Sequence, residues 1–231
     1  MKHIKQFDAV VCGAGHAGVE AALILNRFKI PTALITIDPL AIGRMSCNPA
    51  IGGLAKGQIV KEIDVLGGIM GKATDHSALQ YKILNKSKGK SVWSPRAQVD
   101  KREYENYINK AIENAKHITT IQGEVVNIEI ERGVVSSAIM RDGQTIRCST
   151  LILTCGTFLN GLVHVGQKKI RAGRMGENAA EGITESLLAQ GFKSGRLKTG
   201  TPPRLDASSI DWKGLDIALG DEVAIPFSYS S

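Results

Sequence analysis

Three glycines, one cysteine and two groups of cations are the residues of this sequence whose types and spacing could do chemistry. Gly13, Gly15 and Gly18 stand in Phe7 to Glu20, FDAVVCGAGHAGVE, at the spacing G-x-G-x-x-G. Between a strand and a helix that spacing has a mechanical meaning. The first glycine permits the tight turn, the second lets a pyrophosphate approach the backbone, and the third lets helix and strand pack closely. Uncapped N–H groups at the helix start then face the phosphates. The motif alone is weak among 25 glycines, so its context must carry the reading of a dinucleotide site. Cys47 is the one nucleophile of a glycine-rich stretch, residues 39–57. Its spacing favours a buried thiol beside Met45, and leaves open a thiolate poised to act on a substrate carbon. Lys82, Lys86, Lys88, Lys90, Arg96, Lys101 and Arg102 surround Trp93, with Asp100 as the one acid among them. A solvated face and a phosphate-contacting loop both fit that pattern. A second basic stretch, Gly166 to Arg204, ends in the rigid run Gly195 to Arg204, suited to holding phosphates or shaping a channel.

The elements that must position these residues follow from periodicity. Ala9–Cys12 reads as a buried strand feeding a helix from His16 through Phe28, kept slim by Ala17, Ala21 and Ala22. Thr32 to Ile37 reads as a second buried strand. The acid that ordinarily closes it and binds a ribose falls near Thr36, with Asp38 two residues late, a departure from a plain NAD site. Residues 39–57 are expected to form an irregular ordered loop over the strand ends. Gln58 to Gly71 has helical spacing interrupted at Gly67-Gly68, and Lys101 to Lys116 is an amphipathic helix with Tyr104, Tyr107, Ile108, Ala111, Ile112 and Ala115 on one face. Ile118 to Gln122 is a strand. Residues 123–148 read as an antiparallel meander with turns at Arg132-Gly133 and Asp142-Gly143. Leu151 to Thr157 reads as another central parallel strand whose small-residue end approaches a ligand, and Glu177 to Gln190 reads as a helix.

Composition bounds the class. The chain has 231 residues, 43% hydrophobic and 22% charged, which fits a globular protein able to bury a sizeable core. Its net charge of +7 suggests a polyanionic partner. No apolar run reaches the roughly eighteen residues needed to span a bilayer, and the polar start MKHIKQFD is not a signal peptide, so a cytoplasmic location without membrane contact is expected. Cys12, Cys47, Cys148 and Cys155 show neither a C-x-x-C pair nor metal-ligand spacing, and no metal site is expected. The fold expected is α/β, a Rossmann-type parallel sheet with an inserted antiparallel β-meander, incomplete at the C-terminus. Its domain covers 1–205, with a basic insertion at about 82–102 and the meander at about 123–148. Residues 206–231, without strong periodicity, read as the start of a further, unfinished domain.

The meander between GAGHAG and LILTCGT resembles the glutathione-reductase-type FAD-binding fold. The strings GHAGVEAA, MSCNPAIGGLAKG, SKGKSVWSPRAQVDK, LTCGTFLNG and GRLKTGTPPRLD are more specific. Together they resemble the N-terminal part of the MnmG or GidA family, the FAD-binding subunit of the tRNA uridine 5-carboxymethylaminomethyl modification enzyme, from about Phe7 to Phe227. The resemblance implies an enzyme that works with the GTPase MnmE as a homodimer and heterotetramer, and adds an aminomethyl or carboxymethylaminomethyl group to carbon 5 of the wobble uridine of tRNA. It implies FAD and NADH as cofactors and methylenetetrahydrofolate as one-carbon donor. By motif it assigns Cys47 to catalysis, with a second cysteine beyond this chain. It assigns Gly13, Ala14, Gly15, His16, Ala17 and Gly18 to the FAD pyrophosphate, and Val125 and Ala180 to backbone contacts with FAD. Lys88, Arg96, Arg174, Arg196, Lys198 and Arg204 are candidate RNA or NADH contacts. The rival readings are the related folate-dependent tRNA methyltransferase, an FAD/NADH oxidoreductase acting on a small molecule, and a cofactor-binding module without turnover. Tight tRNA binding would count against the small-molecule reading.

Overall fold

The computed structural model describes residues 5–45, 48–173, 176–200 and 205–230. The chain opens with β1 (Lys5–Gln6), β2 (Ala9–Cys12), α1 (His16–Arg27) and β3 (Thr32–Thr36). There follow β4 (Ala50–Gly52), α2 (Lys56–Val65), α3 (Met70–His76), β5 (Ala78–Leu84), β6 (Ser94–Val99), α4 (Lys101–Glu113) and β7 (Ile118–Gln122). The rest comprises β8 (Val125–Glu131), β9 (Val134–Met140), β10 (Thr145–Arg147), β11 (Thr150–Leu153), β12 (Leu162–Val165), β13 (Lys168–Arg171) and α5 (Ile183–Ala189).

The central layer is a sheet in the order β11-β2-β3-β7, every pair parallel. It is covered on both faces, which is why its strands read as continuous apolar runs. Val11 and Leu34 point to one side and pack with Val19 and Ala22 of α1, Tyr104, Ile108 and Ile112 of α4, and Val60 of α2. Val10, Cys12, Ala33 and Ile35 point to the other and pack with Val125, Ile128, Ala138, Met140 and Ile146 of the meander. That meander, β8-β9-β10, acquires β1 as a parallel edge partner of β10. The helix α4 starts where Asp100 accepts from the Arg102 and Glu103 amides at 2.8 and 3.1 Å, a side-chain cap for two otherwise orphaned donors.

Two expectations need correction. Residues 39–57 are not a continuous irregular loop, because Ala50–Gly52 pairs antiparallel with β6 and Ile51 is fully buried. Burial of a short apolar triplet against a partner far along the chain leaves little local signal. Within the basic stretch from 82, β5 and β6 form an antiparallel pair with Lys82 opposite Arg96, and residues 85–93 connect the two strands. The helix expected over Glu177 to Gln190 begins only at Ile183. Its would-be first turns are extended, the Ala180 amide donating to Phe158 O at 2.9 Å and its carbonyl accepting from Asn160 N at 2.8 Å. Gly182, at φ +110, then admits the chain into α5, and its amide donates to the Glu185 carboxylate at 3.0 Å. The hairpin of β12 and β13 had no strand signal in the sequence reading.

Residues 217–230 lie against α2, α3 and β5. Phe227 is fully buried in the α1-side core, and Asp75 accepts from the Phe227 and Ser228 amides at 2.8 Å each.

Candidate functional site

The glycine turn follows β2 and enters α1. Gly13 has φ +100, a conformation L side chains avoid, and a Cβ there would lie 2.5 Å from Thr154 O. At Gly18 a Cβ would lie 1.8 Å from Gly13 O and 2.7 Å from Thr154 Oγ1, so the third glycine lets the helix seat directly on the turn. Around Gly15 nothing stands within 4 Å of an added Cβ, which leaves one side of the turn open. Gly15 is also the N-cap of α1 and offers no side-chain cap. The first amides of the helix therefore have no intrahelical partner and carry its positive dipole end. Ala14 is buried under the turn, and its carbonyl accepts from Gly43 N at 2.9 Å. Ala17 is exposed on the first turn of α1. An open, amide-lined concavity of this kind suits a phosphate or pyrophosphate group.

Two side chains complete the underside. The His16 ring lies 5.6 Å, centroid to centroid, from that of the fully buried Tyr104. Neither His16 Nε2 nor the Tyr104 hydroxyl has a partner among the described residues, although both atoms are buried. Burial pushes the imidazole down to about 4, with the positive Lys56 adding to the effect, so His16 is neutral at physiological pH. One turn further along α1, Glu20 accepts from Met70 N at 2.7 Å and from Ile69 N at 3.0 Å, fastening the start of α3 to α1. Burial raises its pKa, opposed by those two backbone hydrogen bonds.

The stretch leading to the candidate nucleophile is tied to this turn. Gly43 donates to Ala14 O, the Asn109 amide nitrogen reaches Ile42 O at 3.4 Å, and Met45 N donates to the Glu105 carboxylate at 3.3 Å. Cys47 itself lies outside the described residues, as do Arg174 and Arg204.

The other sequence candidates fall into two places. Val125 opens β8 just beyond Gly123, whose amide donates to Thr36 O at 2.8 Å, so it sits at the carboxyl ends of β3 and β7. The adjacent Glu124 accepts from Glu181 N at 3.0 Å, which brings the chain at Ala180 alongside. Glycine turn, Val125 and Ala180 thus gather at the carboxyl edge of one parallel sheet, the ligand side of open α/β folds. The late acid Asp38 is committed elsewhere: it caps Leu40 N at 2.9 Å and lies 3.6 Å from Arg44 Nη1. The cations are not brought to this edge as one group. Lys88 is on the β5–β6 connection and Arg96 on β6. Arg196 donates to Asn160 O at 3.0 Å in a cleft of about 560 Å³ that Arg141, Arg171 and Glu185 also line, and Lys198 is exposed.

Sequence reasoning missed Thr154, Tyr104 as a partner of the turn, and Glu20. Thr154 Oγ1 lies 2.8 Å from Cys12 O and 2.9 Å from Gly13 O, locking β11 to the glycine turn. Its only sequence signal was the small-residue end of LILTCGT. Glu20, a carboxylate inside an Ala- and Leu-rich helix, was a signal left unused. Among the described residues no group of His, Cys, Asp and Glu could hold a metal ion, and no helix is long and apolar enough to cross a membrane.

Comparison with known proteins fits this arrangement. The family model for glucose inhibited division protein A matches residues 8–231. The tRNA uridine 5-carboxymethylaminomethyl modification enzyme MnmG of Chlorobaculum tepidum is 50% identical over 226 residues, 97% of this chain and 36% of that protein. The enzyme of the same name from Chlorobium phaeobacteroides is 49% identical over 224 residues, 96% of this chain and 36% of that protein. The solved structure of Aquifex aeolicus GidA superposes with a TM-score of 0.92 at 45% identity, covering 98% of this chain and 38% of that one. The chain therefore spans a little over a third of the length of these relatives, and its α/β fold, with a Rossmann-type parallel sheet and an antiparallel meander, is theirs. The chain belongs to the glucose inhibited division protein A family.

Proposed function

We propose that this chain is the FAD-binding part of an enzyme that modifies carbon 5 of the wobble uridine of tRNA, adding an aminomethyl or carboxymethylaminomethyl group. The observation that carries the cofactor is the glycine turn: left-handed at Gly13, open at Gly15, and uncapped at the head of α1. The residues fit a dinucleotide. Backbone amides from Gly13 to Gly18 would hold the pyrophosphate, with Ala14, His16 and Ala17 in the same turn, and the backbones of Val125 and Ala180 would grip FAD further along the sheet edge. Thr36 and the engaged Asp38 offer no free carboxylate for an adenosine ribose, a departure that weighs less against FAD, which makes many other contacts, than against a plain NAD site. FAD supplies the redox step when bound.

The chain's own residues then have defined tasks. The α1 dipole and turn amides neutralise the pyrophosphate. Neutral His16 lies with its ring near that of Tyr104 without adding charge. Cys47 is the nucleophile or proton donor toward the base. An anticodon-loop uridine can be splayed into a pocket without opening a duplex. The names of the relatives support tRNA uridine as substrate. NADH as reductant, methylenetetrahydrofolate as carbon donor, the GTPase MnmE as partner, homodimer and heterotetramer assembly, cytoplasmic location, and a domain boundary near 205 with a further domain beginning there complete the reading. Lys88, Arg96, Arg174, Arg196, Lys198 and Arg204 remain candidate contacts for RNA or NADH.

Two measurements test it. The purified protein titrated with FAD should give a retained flavin spectrum. Full-length Cys47→Ser should keep that spectrum while modified wobble uridine disappears from cellular tRNA. Wild-type nucleoside levels in the variant would remove Cys47 from the mechanism, and a protein that never retains flavin would remove the cofactor assignment.

A further inference from the structure

The connection between β5 and β6 is built as a rigid, positively charged tip. From His76 to Val99 the sequence carries Lys82, Lys86, Lys88, Lys90 and Arg96 and no acid. Two of these cations are already engaged. Lys82 Nζ donates to Leu219 O at 2.9 Å, and Lys86 Nζ lies 2.8 Å from the Asp221 carboxylate. The same Asp221 accepts from Ile83 N and donates its own amide to Tyr81 O, both at 2.8 Å. Residues 218–221 thus brace the outer edge of β5. Beyond the brace, Lys88 and Lys90 are exposed, and no side-chain hydrogen bond or ion pair engages them among the described residues. Their backbone is held in place. Lys88 N donates to Asn85 O, Val92 N to Gly89 O and Trp93 N to Lys90 O, at 2.9, 3.2 and 3.2 Å. Gly89, at φ +94, turns the chain between the two lysines. The Trp93 indole is 37% exposed and pinned by its Nε1–H, which donates to Lys86 O at 3.2 Å.

We infer that this tip, Lys86 to Trp93, is a contact surface for an RNA phosphodiester backbone, with Lys88 and Lys90 as its free charges and Trp93 as a stacking face for an unpaired base. The inference rests on the proposed tRNA substrate and specifies where that substrate touches. Residues 86–93 are all exposed, whereas a dinucleotide such as NADH is held in a concave site that buries most of it. Lysines spaced along a preset turn act as point charges suited to successive phosphates. An aromatic face among them stacks bases without sequence preference. The other basic hairpin, β12–β13, is a poorer match. Its Arg171 pairs with Glu181 at 3.4 Å, and Glu124 and Glu185 stand near the same cleft, where they would repel phosphate.

The test is the affinity of the full-length protein for an unmodified tRNA transcript, measured across a range of salt. Each lost lysine–phosphate contact lowers the slope of log Kobs against log salt by about 0.7 to 0.9. Lys88→Gln/Lys90→Gln should therefore flatten the slope by about 1.5, with flavin content and thermal midpoint unchanged. Lys168→Gln/Lys169→Gln, on β13, should leave the slope as in the wild type. An unchanged slope in the Lys88/Lys90 variant would overturn the inference and point to an acidic protein surface as the hairpin's partner. Equal flattening in both variants would overturn it too, as diffuse attraction. Wild-type protein that fails to bind tRNA even at low salt would refute the functional reading itself, an outcome separate from either of these.

Discussion

The glycine turn makes a prediction that separates packing from ligand approach. At Gly18 an added methyl would meet Gly13 O at 1.8 Å and Gly13 C at 2.9 Å. Those are backbone atoms of a turn that Thr154 also holds, so α1 must lift away. Overpacking of this kind costs about 1 to 3 kcal/mol, and the backbone contact puts Gly18→Ala at about 3. For a chain of this size that lowers the thermal midpoint by about 6 to 12 °C. At Gly15 the methyl meets nothing within 4 Å, and the backbone at φ −72 suits any residue. Replacing an N-cap glycine with alanine costs about 0.5 to 1 kcal/mol, and the reduced freedom of the unfolded chain returns about 0.4 to 1. Gly15→Ala should therefore melt within about 2 °C of the wild type, yet retain little flavin, because its methyl occupies the open side of the turn. Circular dichroism of the apoproteins gives the midpoints, and flavin absorbance after gel filtration gives occupancy. Full flavin retention by Gly15→Ala would refute the open side as the approach surface. A wild-type midpoint for Gly18→Ala would refute the close-packing argument.

Two further outcomes follow from the same geometry. His16 is held neutral, its pKa moved from 6.5 to about 4 mainly by burial. A folded-state value below the unfolded one means stability fully present above pH 6.5 and lost as pH falls toward 4, by about 3 kcal/mol at most. His16→Phe keeps a ring against Tyr104 and should flatten the midpoint-versus-pH curve in that window; an unaltered curve would assign the acid sensitivity to other groups. Asp75 accepts from Tyr81 Oη, Phe227 N and Ser228 N. Asp75→Ala should therefore cost at least about 2 kcal/mol and speed proteolytic cleavage around residues 217–230, and an undiminished resistance to protease would show that Phe227 burial alone holds the segment.

What the sequence disclosed, and what it hid, divides by the range of the interactions. The parallel strands β2, β3, β7 and β11 were legible because burial on both faces forces continuous apolar runs. The helices α1 and α4 were legible because their apolar faces recur at helical spacing. The glycine turn was legible because Gly13 must take a left-handed backbone, Gly18 must let the helix seat on the turn, and the two stand at a fixed spacing. The strand Ala50–Gly52 was not, since three residues carry no period and their partner β6 lies more than forty residues away. The helix α5 was overextended because Glu177, Ala179, Ala180 and Glu181 favour helices locally, while Phe158 and Asn160 claim their backbone in extended form. Thr154 and Tyr104 were hidden for a related reason: a hydroxyl that locks one strand end, or a ring that lies beneath a turn, has no positional signature until the sheet is assembled.

That distinction also explains how the candidate site is put together. The part proposed to hold phosphate needs only main-chain amides and space, so glycines encode it within six consecutive residues. The part that would act on a base needs side chains from distant segments. Hydrogen bonds join such segments here: Gly43 to Ala14, Met45 to Glu105, Asn109 to Ile42, and Glu181 to Glu124 and Arg141. The glycine turn is held by strand, helix and Thr154, and residues 42–45 are held by burial of Ile42 and Met45 in the core as well as by hydrogen bonds to the turn and α4. Short-range backbone demands thus encode the turn locally, whereas the packing of Ile42 and Met45 against α4 exists only once distant segments meet, which is why the first was legible in the sequence and the second was not.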